Sequence, residues 1–92
     1  MAIRITAVHV AGGSEHEHIT EVEWVSLEHR NEGSSTREAI IDWLESDPGN
    51  TVVVKKGLRS AAVVVRREGD RAWLQAESDG RASPLLLEIP RY

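Results

Sequence analysis

Only one stretch of this chain carries the period of a helix, and it is short. Ile40, Trp43 and Leu44 fall at i, i+3 and i+4 and form one apolar stripe. Upstream, Ser35-Thr36-Arg37-Glu38 matches a capping box, with Ser35 as the N-cap and Glu38 at N3. Downstream, Asp47-Pro48-Gly49-Asn50 cannot continue a helix, so the spacing predicts an end near Ser46. The apolar residues on either side follow strand patterns. A chain with one helix among many strands must lay that helix on a sheet to bury its stripe.

Ile3, Ile5 and Ala7 alternate with Arg4, Thr6 and Val8, which predicts a strand over residues 2–10. Gly12-Gly13-Ser14 breaks it. A second strand is expected from His18 to Leu27, rich in β-formers. Ile19 and Val22 have opposite parity there, so a bulge or a twist is expected. Asn31-Glu32-Gly33-Ser34 is read as a loop. After the helix come Thr51–Lys55, Ser60–Arg67 and Arg71–Glu77, the last two joined by a Gly69-Asp70 hairpin turn. Leu85-Leu86-Leu87 and Ile89 suggest a last short strand that Pro90 confines to an edge. The predicted fold is α+β: a mostly antiparallel sheet of five to six strands with one helix on one face, in the order β-β-α-β-β-β-β. With three Trp and no Phe, the tryptophans are expected to supply the large core volumes, Trp43 above all.

The 92 residues suffice for one domain and are too few for two, so residues 1–92 are read as a single domain. There is no Cys, which excludes disulfides, thiolate metal sites and a cysteine nucleophile. A cysteine-free chain with no signal segment ahead of its first strand is expected to be cytoplasmic, with no membrane contact. Charge is uneven. Residues 1–50 carry three Arg against ten Asp and Glu, while residues 51–92 carry eight Lys and Arg against five acids. Either the halves interleave and the charges mix, or an acidic face opposes a basic one.

The most unusual stretch is Gly12-Gly13-Ser14-Glu15-His16-Glu17-His18. In an extended segment His16 and His18 would point to one side and could share a divalent metal, with His9 or His29 as a third ligand. The commoner reading of an isolated His-x-His is a histidine that hydrogen-bonds backbone in a turn while Glu15 and Glu17 face water. The Gly-Gly-Ser run lacks a following Lys-Ser or Lys-Thr and a helix, so it does not read as a phosphate loop. Lys55, Lys56, Arg59, Arg66, Arg67 and Arg71 form a basic series that could meet a nucleic-acid backbone. Such charges also protect sheet edges from strand-to-strand aggregation. No Gly-x-Ser-x-Gly elbow and no His-Glu-x-x-His helix occurs, and nothing groups Ser, His and Asp into a triad.

Two segments carry a family resemblance. Gly12-Gly13-Ser14-Glu15-His16-Glu17-His18-Ile19, followed by Trp24, is one; Asp79-Gly80 followed by Leu85-Leu86-Leu87-Glu88-Ile89-Pro90 is the other. Together they resemble an uncharacterised family of small bacterial proteins, a domain of unknown function. Pro84 and Ile89 depart from the pattern of its second motif, which has Asn and Leu there. The resemblance implies no activity, but it draws attention to His16, Glu17 and His18.

The functional expectation is a small cytoplasmic interaction or binding module without catalytic activity, whose partner is a protein or a second copy of the chain. The alternatives are divalent-metal binding through His16 and His18 with His9, and nucleic-acid binding through the Lys55–Arg71 series. The residues expected to make binding contacts are Glu17, Lys55, Lys56, Arg66 and Arg67. A divalent metal is the only cofactor the residues suggest, and nucleic acid is the less favoured partner.

Overall fold

The computed structural model describes residues 1–92 and holds a seven-stranded sheet with two helices. In chain order the elements are β1 (Ala2–Val10), a 3-10 turn (His16–His18), β2 (Ile19–Ser26), β3 (Glu32–Thr36), α1 (Arg37–Ser46), β4 (Thr51–Lys56), β5 (Arg59–Glu68), β6 (Arg71–Ser78), β7 (Arg81–Ala82) and α2 (Leu85–Glu88). The sheet order is β3-β2-β1-β4-β5-β6-β7. All neighbours are antiparallel except β1 and β4, which run parallel. The α+β class and the mostly antiparallel sheet agree with the sequence expectation. The element order agrees roughly, and the strand count is seven rather than five to six.

Three differences account for this, the smallest being the two-residue β7, which pairs with β6 after the Asp79-Gly80 turn. Glu32–Thr36 is a strand, although its residues are turn formers. Gly33 lies opposite Trp24, and a Cβ there would stand 2.9 Å from Trp24 Cζ2, so glycine makes room for the indole. The neighbouring strand imposes the conformation and overrides weak local preference. The expected last strand is instead helix α2. Leu85 and Leu86 are both buried, which one helical turn allows and a strand, sending neighbours to opposite faces, does not. Ser83 Oγ accepts from Leu85 N at 3.3 Å, and Pro84 O accepts from Leu87 N at 2.8 Å.

The N-cap of α1 is Thr36, one residue later than expected. Its Oγ1 accepts from Ala39 N at 3.2 Å. Ser35 stays in β3, where its Oγ accepts from Trp24 Nε1 at 3.0 Å. The helix runs to Ser46, as the spacing predicts.

The bulge expected between Ile19 and Val22 is present and has a counterpart. β1 and β2 pair Ile5 with Trp24 and then Ala7 with Glu23, leaving Thr6 as an extra residue. Farther along, His9 pairs with Glu21 and Val10 with Ile19, leaving Thr20 extra on the other strand. Both threonine hydroxyls donate across the pair, Thr6 to Glu23 O at 3.3 Å and Thr20 to His9 O at 3.4 Å. The shifts keep Ile3, Ile5, Val8, Ile19 and Val22 on the core face despite their mixed parity.

These residues join Val52, Val54, Ala61, Val63, Leu74 and Ala76 from the sheet, Ile40 and Ile41 from α1, and Leu85, Leu86 and Ile89 in one continuous cluster. Both helices therefore cover the same face. The expectation of a tryptophan core is corrected: none of the three Trp is fully buried, and Trp24 and Trp43 pack at the margin of an aliphatic interior. β1 is paired with β4 only from Ala2 to Ile5. Beyond that the C-terminal residues take over, Val8 N donating to Pro90 O at 3.0 Å and Tyr92 N to Val8 O at 3.1 Å. No helix is long and apolar enough to cross a membrane.

If Thr36 caps α1, Thr36→Ala should cost about 1 kcal/mol in urea denaturation. A neutral result would return the cap to Ser35.

Candidate functional site

The glycine-rich connection between β1 and β2 folds back on itself. Gly12 has φ +81°, a left-handed conformation that favours glycine. At Gly13 the constraint is space: a Cβ would overlap the His18 ring. That ring turns inward to accept from Glu15 N at Nδ1, 3.2 Å, and so caps the 3-10 turn. His16 points elsewhere, as alternate residues of a 3-10 turn must. Its Nε2 is buried without a hydrogen-bond partner, in a small space lined with Glu15, Glu17, Trp73 and Gln75. Burial pushes the His16 imidazole below its ordinary value of 6.5, while Glu15 acts in the opposite sense.

Glu17 is the joint of this region. Its carboxylate takes Arg71 Nη2 at 2.8 Å, and its backbone oxygen takes Arg37 Nη1 at 3.1 Å. The two arginines begin β6 and α1. They hold the turn against β6, which it touches although the two are far apart in sheet order. Each exposed ion pair stabilises by only about 0–1 kcal/mol; their effect is to fix position.

Beside this joint lies a cleft of about 450 Å³ between the turn, the first half of α1 and the β5–β6 hairpin. Glu17, Arg37, Glu38, Asp42, Arg67, Asp70 and Arg71 line it, with Ile41, Ala72 and Trp73 as its apolar wall. The arginines are already engaged: Arg37 holds Glu38 at 2.6 Å and Arg67 holds Glu45 at 2.5 Å. The lining contains no Ser, Thr, Cys, His or Lys. It therefore presents charge of both signs and no hydroxyl, thiol, amine or imidazole.

The residues singled out from sequence are dispersed. His9 does not approach His16 and His18; its Nδ1 contacts Tyr92 O, and its ring tilts against the Tyr92 ring at 5.6 Å. Burial, Glu21 and Glu23 push the Tyr92 phenol up. No three His, Cys, Asp or Glu side chains converge as a metal-binding group, and the extended geometry on which the shared-metal expectation rested is replaced by the 3-10 turn. The basic series divides as well. Lys55, Lys56 and Arg59 stand at one end of β5, and Arg66, Arg67 and Arg71 at the other. Arg59 holds Glu88 at 3.2 Å, Arg66 holds Glu77, and Arg67 and Arg71 are paired as described. Arg37 and Gln75 escaped the sequence reading because their partner, the turn, lies far away along the chain.

A family model for proteins of unknown function (DUF3892) matches residues 4–81. The chain belongs to that family. The match contains the turn, the cleft and the bulged strand pair, and ends before α2. No curated protein and no solved structure matches the chain.

Gly13→Ala should destabilise the protein clearly, yet be nearly neutral beside His18→Ala; additive losses in the double-mutant cycle would show that the ring does not occupy that space. Burial lowers the pKa of His16 in the folded protein, whereas the unfolded chain takes up a proton below about 6.5. The contribution of His16 to stability is thus complete above that pH and is lost as the pH falls through it. The melting temperature of the wild type should drop over that range more than that of His16→Gln. Parallel curves would contradict the buried imidazole.

Proposed function

We propose that this protein is a small binding module that acts by contact, and that the charged cleft between α1, the β5–β6 hairpin and the 3-10 turn is its contact surface. The observation that carries this reading is the composition of the cleft. Seven ionisable side chains line it in ready-made or available ion pairs, and none of the lining groups is an imidazole, hydroxyl, thiol or amine. Exchange of such pairs with a partner's charges confers specificity and association rate more than raw affinity. A protein segment of mixed charge suits the cleft best, since a uniformly anionic partner would meet Glu17, Asp42 and Asp70. The absence of cysteine suits work in a reducing cytoplasm, and the motif resemblance suits a bacterial one.

The test is affinity capture with the whole chain and with Asp42→Lys, an exposed change on the helix surface. A reproducible partner, bound by the wild type and lost by the variant at unchanged melting temperature, is the expected result. A partner retained equally by both proteins would move recognition off the cleft. Capture of no partner, including the chain itself, would overturn the reading.

A further inference from the structure

Where β4 leaves β1, the opposite end of β5 from the cleft, a second pocket of about 360 Å³ opens. Arg4 and Thr6 of β1, Lys55 and Lys56 of β4, and Glu88 of α2 line it. Its electrostatics differ from those of the cleft. Arg37, Arg59, Arg66, Arg67 and Arg71 all hold carboxylates, whereas Arg4, Lys55 and Lys56 hold none. Three unpaired cations thus share one concave site. Glu88 adds a second, independent observation: its Oε1 takes Arg59 Nη1 at 3.2 Å, but its Oε2 is buried with no hydrogen-bond partner.

We propose that this pocket binds inorganic phosphate. Charge selects an anion, because the three free cations outnumber the one carboxylate, which Arg59 already offsets. The unpartnered Glu88 oxygen selects among anions, because a buried acceptor without a donor is costly and a ligand that supplies the donor relieves it. Monohydrogen phosphate carries both features, acceptor oxygens for Arg4, Lys55 and Lys56 and one P–O–H to donate to Glu88. Sulfate matches its shape but has no proton at neutral pH. A phosphate monoester that is fully ionised lacks that proton too. The site is separate from the cleft and stands or falls independently of the binding module proposed above.

The experiment titrates the whole protein at neutral pH and constant ionic strength with sodium phosphate, sodium sulfate or methyl phosphate, following backbone amide shifts. Saturable shifts with phosphate at Arg4, Thr6 and Lys55–Gly57, with sulfate binding about tenfold weaker or worse, are expected. Lys55→Ala/Lys56→Ala removes two exposed side chains and should abolish saturation for both anions at an unchanged melting temperature. Glu88→Gln should remove the preference for phosphate over sulfate by letting sulfate bind. Absence of saturable shifts with phosphate, or phosphate binding that survives the double lysine variant, overturns the site. Sulfate binding equal to phosphate in the wild type overturns the role of Glu88. Methyl phosphate binding more tightly than phosphate overturns the assignment to the free ion.

Discussion

Strand β1 is the member on which the others depend. It receives β2 along one side over its whole length, and on the other side it receives β4 first and the C-terminal residues afterwards. The parallel pairing with β4 requires a long return path, and α1 supplies it. That path is what lays α1 against the core face and carries it from β3 toward β6. The interior is then filled by Ile, Val and Leu from both helices and five strands. Remove the β1–β4 register and the helix loses its floor, the cleft its wall and α2 the strands it covers.

The 3-10 turn closes the arrangement from the other direction. A sheet of seven strands with a single short helix and one helical turn to cover it would expose part of its apolar face if flat. Contact between the turn and β6 brings the two ends of the face together. Glu17, gripped by Arg37 and Arg71, is the polar side of that contact, and His16 beneath Trp73 and Gln75 is its desolvated side. Histidine and glutamate in the motif are thereby accounted for as parts of a fastening. The sharpest motif in the chain shapes one wall of the cleft through Glu17.

What could be read in the sequence was what local patterning controls. β1, β2, α1, β4, β5 and β6 all lie where alternation or helical spacing places them, and the parity break at Ile19 and Val22 did mark a bulge. Two elements were illegible for opposite reasons. β3 has no strand propensity of its own and is held by β2 and the Trp24 ring. Leu85–Leu87 has an apolar run too short for periodicity to distinguish a strand from a helical turn. The site was less legible still. Its ion pairs join residues up to 54 positions apart, as in Arg71 with Glu17. The charge difference between the two halves of the chain, visible in sequence, is realised in part as pairing across the fold, with Arg67 on Glu45 and Arg71 on Glu17.

The paired bulges in β1 and β2 bear on how such a chain can vary. Thr6 adds one residue to the first strand, Thr20 adds one to the second, and the original register is restored by Val10 and Ile19. The two surplus residues are therefore a matched set. A relative that lost only one of them would turn Val8 and Val22 out of alignment or present the 3-10 turn on the wrong side of the sheet. A relative that lost both would keep the inward faces in step. Length change within this hairpin is thus tolerated in twos, one residue from each arm.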